Sequence, residues 1–391
     1  MIMQSPLATG ATLTPEERKD RLRHLPAPTP SMGADAYRQV VEAGLRNWPE
    51  RQANYERFLT SSRRTADPDY LPIKLDIENV SRCNFRCTMC SVSEWPKGQR
   101  APDLCFEAFK RLIDEQIGLV EIKLQGLGEP SMQREPYYEM IRYARARDIW
   151  VRTTTNASLL HLKIGPDKRP AFKELIDADP NEVQVSVDGA TKEVFEGIRQ
   201  GSKFKHVVRN CAALNAYSRE VGVTRTKMWT VVQHANYHQL EDLVRLTAEL
   251  GFKHHTFSLE LVGWGRDDWV EKNESVNVEA LLDPDHLMSL VDLGNTLGVE
   301  VRFWNTTEKY ATDAPESLCP WPFERSFIGS DLRVVPCCMI GNPDVFQIDR
   351  KMDSFSEVWT GEDYREFRLA HLSGNIPHAC QECYKHANSS T

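Results

Sequence analysis

The sequence predicts an α/β chain in which a parallel sheet is wrapped by helices, with a helical extension before it and a small cysteine-rich unit after it. Three observations carry this. From Leu71 to Phe303, short runs of β-branched and apolar residues alternate with longer amphipathic stretches, the pattern of strands joined through helices. Residues 1–70 have helical periodicity interrupted at prolines. Residues 304–391 gather five of the ten cysteines among turn residues. At 391 residues the chain exceeds what one hydrophobic core usually fills, so the expected division is 1–70, 71–303 and 304–391.

Composition narrows the function classes. With 41% hydrophobic and 27% charged residues the chain is an ordinary globular protein, and a net charge of −8 argues against nucleic acid or an anionic membrane as the main partner. No apolar run nears the roughly 18 residues of a spanning helix. The start, MIMQSPLATG, lacks the basic-then-apolar order of a secretory signal, so a cytoplasmic location is expected. Clustered cysteines in a reducing compartment point to metal or redox chemistry before disulfides. Cys105 and Cys211 stand apart, and each is expected to be a small buried residue.

Each element has a local reason. Thr14-Pro15 reads as an N-cap followed by a first-turn proline, and ADAYRQVVEAGLRNWPERQANYERFL reads as helix interrupted at Pro49. This extension is expected to pack on the main domain without chemistry of its own. IKLDIENV, LVEIKLQGLG, WVRTTTN, EVQVSVDG, TKMWTVVQ and HHTFSLEL read as six strands, separated by helical stretches such as YHQLEDLVRLTAEL. Parallel sheets built this way carry their functional loops at the C-terminal strand ends. In the last region SFSEVWTGEDYREFRLAHL reads as one helix ahead of Cys380 and Cys383, and a unit this small calls for a metal or cluster as a staple.

Cys83, Cys87 and Cys90 are spaced by three residues and then two, directly after the first strand. A tight loop of this kind can hold three corners of a four-iron cubane and leave the fourth iron open. A zinc site with a remote fourth ligand is the alternative, since structural zinc takes four closed ligands. The motif resembles the signature of the radical SAM superfamily, and the resemblance runs from Leu71 onward. In that family the open iron binds S-adenosylmethionine (SAM), whose cleavage gives a 5′-deoxyadenosyl radical that abstracts hydrogen. The resemblance implies a partial (β/α)6 barrel and assigns further residues strand by strand. Gly126, Gly128 and Glu129 in GLGEP resemble the loop at the methionine amino group, and Asn156 resembles a third-strand contact. Ser186 and Asp188 in SVDG resemble ribose contacts, and Arg199 resembles the arginine that pairs the SAM carboxylate. Residues 231–236 and 259–265 resemble the edges that hold adenine, although Met89 stands where many members carry an aromatic residue.

Cys319, Cys337, Cys338, Cys380 and Cys383 resemble the SPASM and twitch domains that hold an auxiliary iron–sulfur cluster, with a zinc ribbon as the alternative. Four ligands are expected: Cys319, Cys337, Cys380 and Cys383. Cys338 is then spare and is the candidate catalytic thiol. The implied cofactors are a SAM-binding [4Fe–4S] cluster, an auxiliary [4Fe–4S] cluster and SAM, with a flavodoxin or ferredoxin as electron donor. Dehydrogenation of a polar small molecule, such as a sugar or aminocyclitol, is the expected reaction, because the extension reads as helices rather than a leader-peptide-binding module. Epimerisation of such a substrate and peptide modification are the alternatives, with a zinc-stabilised non-catalytic binding protein as the remote one. His255 and Glu260 are candidate bases.

Overall fold

The computed structural model describes residues 13–61, 64–304, 309–348 and 354–384. Its main sheet contains β1 (Lys74–Ile77), β2 (Glu121–Leu124), β3 (Trp150–Thr155), β4 (Glu182–Ser186), β5 (Thr226–Val231), β6 (His254–Ser258), β7 (Glu300–Trp304), β8 (Arg325–Ile328) and β9 (Val334–Val335). The strand order is β7-β6-β5-β4-β3-β2-β1-β8-β9, parallel throughout except for the β8–β9 pair. All six expected strands are present. Two further parallel strands extend the sheet: β7, whose apolar alternation is only Val301 and Phe303, and β8, which comes from the cysteine-rich region and pairs with β1. The third region is therefore continuous with the barrel sheet.

Side-chain alternation gives the sheet two unlike faces. Leu75, Ile122, Val183, Met228 and Phe257 are fully buried in the main apolar core. The opposite face carries charge. Glu121 meets Lys74 and Arg152, Arg152 reaches Glu182 at 3.2 Å, and Glu182 meets Lys227 at 2.7 Å. Burial works against the Glu121 carboxylate, but Arg152 and Lys74 outweigh it and hold the pKa near about 2.

The N-terminal extension closes the bottom of this charged face. Tyr37 donates to Glu121, the Ser31 N–H to Glu182 and Thr29 to Glu300, each at 3.0 Å, while Phe303 N–H donates to the Pro26 carbonyl at 2.8 Å. The Thr14 capping box, the Pro49 start of a second helix and the docking on the main domain all agree with the sequence reading. Two expectations fail. Gly361 splits the last helical stretch into Phe355–Thr360 and Glu362–Leu372, and Cys105 is exposed at a helix start, whereas Cys211 is buried as expected.

Candidate SAM and auxiliary-cluster sites

The first cysteine loop follows β1 and is held both by backbone bonds and by the apolar core, in which Phe85 and Cys87 are buried. Arg86–Cys87 pairs antiparallel with Arg199–Gln200, which sets Cys87 opposite Arg199. Cys83 N–H donates to Gly98 at 3.2 Å and Cys90 N–H to Cys87 at 3.1 Å. Around the thiols lie donors suited to thiolates: Phe85 N–H is 3.4 Å from Cys83 Sγ, and the Asn156 amide and Arg199 guanidinium lie 4.0 Å from Cys83 and Cys87 Sγ. Burial raises all three thiol pKa values, Cys90 to about 12. Bare thiols here stay protonated, and a bound metal supplies the charge that would release the protons. Three sulfurs on one ordered loop fit the open-iron cluster.

The glycine loop lies against this one. A Cβ on Gly128 would fall 2.3 Å from the Val80 carbonyl oxygen, and one on Gly126 would fall within 2.5 Å of the Glu78 side chain, so both positions require glycine. Glu129 behaves differently from the expectation of a free acceptor for an ammonium group. Its buried carboxylate already accepts from Ser131 Oγ at 2.5 Å, Thr155 Oγ1 at 2.6 Å and Asn156 N–H at 2.7 Å, which ties the β2 loop to the end of β3. Asn156 uses its side chain on Asn84 and Ser158.

Asp188 and Arg199, expected to touch different parts of SAM, are paired to each other at 2.6 Å. Asp188 also accepts from Val231 N–H at 2.8 Å, and its carbonyl accepts from Asn236, so the pair is anchored to the end of β5. Burial opposes both charges; Asp188 and Cys87 nonetheless raise the Arg199 pKa and keep it cationic beside the cluster loop. Ser186 is half-buried at the end of β4. Trp264, within the 259–265 stretch, donates to the Met89 carbonyl at 3.3 Å and brings an aromatic ring to the cysteine loop from the loop after β6.

The second site is assembled from separated segments. Cys319, Cys337, Cys380 and Cys383 ring one cavity together with Glu260 and Trp321. Cys338 is not on that wall. It packs against the apolar cluster of Phe327, Val335 and Ile340. Burial lifts Cys319 to about 11 and Cys383 to about 12, and Tyr384 Oη accepts from Cys319 N–H at 2.7 Å. Among the described residues no three such side chains converge on a point that one ion could occupy. Four thiols around a cavity fit a cluster with a protein ligand at every corner.

The structure places the two candidate bases in different surroundings. His255 lies on the apolar face of β6, bonded to Thr230 and Thr247 at 2.9 Å, and burial lowers its pKa to about 3. It is a neutral structural residue. Glu260 lines the auxiliary cavity instead. Sequence reasoning also missed Glu78, which sits in IKLDIENV without any motif to mark it and proves to be fully buried.

Comparison with known proteins identifies two domains, one spanning each cysteine group. The radical SAM superfamily model matches residues 79–247, and the SPASM iron–sulfur cluster-binding domain model matches residues 319–384. The mycofactocin maturase MftC of Mycolicibacterium smegmatis is 32% identical over 203 residues, taking in 51% of this chain and 47% of that protein. The chain thus spans about half the length of that relative. The PqqA peptide cyclase of Bradyrhizobium diazoefficiens is 21% identical over 333 residues, 83% of this chain and 82% of that one. In fold, the chain is similar to Streptococcus suis SuiB bound to its precursor peptide SuiA, with a TM-score of 0.59, 14% identity and coverage of 76% of this chain and 66% of that one.

Proposed function

We propose that this chain, a radical SAM enzyme with a C-terminal SPASM domain whose cofactors are SAM and [4Fe–4S] clusters, modifies a residue of a precursor peptide by abstracting hydrogen from one of its C–H bonds. The observation that carries the substrate class is the PqqA peptide cyclase likeness, which runs through 83% of the chain. MftC, a maturase by name, points the same way. The helical extension, which at the level of sequence favoured a sugar or aminocyclitol, closes the barrel floor instead and so carries no weight on substrate choice.

When bound, SAM and its cluster supply a 5′-deoxyadenosyl radical. The protein's residues then have separable tasks. Cys83, Cys87 and Cys90 present three thiolates; Asn156 and Arg199 sit where they can stabilise that charge. The Gly126–Pro130 loop offers its backbone to the methionine end of SAM, and the Asp188–Arg199 pair presents polar groups to the ribose and carboxylate. Cys319, Cys337, Cys380 and Cys383 complete the auxiliary site with no corner left for substrate, which suits an electron relay from the substrate radical. A flavodoxin or ferredoxin is the proposed reductant for the SAM cluster.

The test is anaerobic incubation of reconstituted enzyme with SAM, dithionite and a synthetic peptide copied from a short reading frame beside the gene. Peptide-dependent 5′-deoxyadenosine and a mass change in the peptide are expected. Formation of 5′-deoxyadenosine that depends on sugars or aminocyclitols, and not on the peptide, would return the assignment to a small-molecule dehydrogenase.

A further inference from the structure

Glu78 stands where three segments meet. One Glu78 carboxylate oxygen accepts from Leu127 N–H, in the glycine loop, at 3.1 Å. The other accepts from Arg100 at 2.6 Å and from Ser330 N–H, in the β8–β9 turn, at 3.2 Å. Arg100 belongs to the segment that leaves the cysteine loop, and its N–H donates to the Ser81 carbonyl. From there the charges continue outward. Arg100 pairs with Asp331 at 2.7 Å, Asp331 with Arg333 at 2.8 Å, and Arg333 with Asp344 at 2.5 Å. Asp344 lies in the turn that follows Cys337 and Cys338.

A second contact joins the same two places independently. The Leu127 side chain approaches Gly341 so closely that a Cβ there would lie 3.0 Å from Leu127 Cδ2, and the Gly341 N–H donates to the Cys337 carbonyl at 3.1 Å. Leu127 is thus gripped twice: its N–H by Glu78, and its side chain by the loop that carries an auxiliary ligand. A fully buried carboxylate is costly to keep in place. Here it connects the backbone that faces SAM with the backbone that carries Cys337.

We propose that Glu78 is a positioning residue that couples SAM binding at the Gly126–Pro130 loop to occupancy of the auxiliary cysteine site. An ordered Cys337–Asp344 loop sets Asp331 and Gly341, these set Arg100, Glu78 and Leu127, and the glycine loop then offers its backbone at the distance that SAM needs. Coupling of this kind is reciprocal, so SAM also stabilises the auxiliary loop. The inference rests on the placement of the SAM methionine at the glycine loop.

The experiment is a binding cycle. SAM affinity is measured anaerobically by calorimetry on oxidised, reconstituted enzyme for four proteins: unaltered, Glu78→Gln, Cys380→Ala and the double variant, with iron content confirming the SAM cluster in each. Each single variant is expected to bind SAM roughly tenfold more weakly, within the 5–150-fold span usual for coupled sites, and the double variant no more weakly than the poorer single one. The SAM-induced change in the electron paramagnetic resonance signal of the reduced SAM cluster should shrink in parallel. Additive losses, or unchanged affinity in Cys380→Ala, would overturn the coupling. Failure of the unaltered enzyme to bind SAM would instead overturn the cofactor placement on which it rests. Should Glu78→Gln not fold, Asp331→Asn decides, because it cuts the Arg100–Asp331–Arg333 link near the surface and leaves Glu78 in place; it too should weaken SAM binding and lose additivity with Cys380→Ala.

Discussion

The two cysteine sites solve one problem in opposite ways. Cys83, Cys87 and Cys90 lie within eight residues on a loop already shaped by backbone bonds, by pairing with Arg199–Gln200 and by the Asp188–Arg199 ion pair. Cys319, Cys337, Cys380 and Cys383 come from three segments, and the last of these is joined to the others by single contacts, such as Tyr384 Oη with Cys319 N–H and the Cys383 carbonyl with Tyr310 N–H. Its local apolar cluster is small: buried Leu318, Phe323 and Tyr384 with a few partners. The difference teaches that the first site is a feature of the barrel that a cluster occupies, whereas the second is a feature that a cluster helps to build.

The largest expected effect breaks the two sites apart. Replacing Cys83, Cys87 and Cys90 with alanine should abolish SAM cleavage and remove about half of roughly eight irons while leaving the melting temperature nearly unchanged. Cys380→Ala should remove the other half, keep some unproductive SAM cleavage and lower the melting temperature markedly, since metal binding free energy is folding free energy in a staple-dependent unit. Iron and sulfide analysis with thermal melts on the same samples checks both. Equal melting temperatures for the two variants would erase the distinction drawn above, and stoichiometric zinc without sulfide would remove the cluster assignment altogether.

How legible each site was follows from the same contrast. The CxxxCxxC spacing, the six strands and the loops at their ends could be read because each is local: a period of two, a glycine at a close approach, three thiols on one loop. Asp188–Arg199 could not be read as a pair, because only the return of residues 199–200 to the cysteine loop brings them together. Glu78 looked like any polar residue at a strand end, and His255 looked like a candidate base until the register of β6 turned it toward the helices. Strand β7 was missed because its apolar alternation is only Val301 and Phe303, and the strand between Cys319 and Val334 could be read, but not its pairing with β1, which joins segments about 250 residues apart.

The intermediate effect sharpens the claim that the first site is preformed. Removing one member of a buried ion pair leaves the other uncompensated, a loss of about 3–5 kcal/mol. Arg199→Ala and Asp188→Ala should each cost about that much by denaturant unfolding, and the double variant should cost clearly less than their sum. Both single variants should also weaken SAM binding while the auxiliary cluster remains. Additive losses would mean that each residue acts separately, as the sequence alone suggested.

The smallest effect concerns Cys338, where the two sites come nearest to sharing a residue. Adjacent positions on extended backbone point to opposite sides, so a ligand at Cys337 turns Cys338 away from the cluster. In the structure Cys338 opens a turn rather than continuing a strand, and Cys337 lines the auxiliary cavity while Cys338 does not. Cys338→Ala should therefore retain both clusters and cost about 1 kcal/mol or less, the value of one small, partly buried group. Turnover decides what the thiol does there. If the substrate radical gives up an electron and a proton, the variant turns over normally and a reaction in deuterated water places no deuterium on the reacting carbon. If a thiol returns hydrogen to that carbon, the unaltered enzyme installs one solvent deuterium and the alanine variant stalls after abstraction. The four-thiol auxiliary site, ready to take an electron, predicts the first result; the second would make Cys338 the hydrogen donor and the chemistry an inversion.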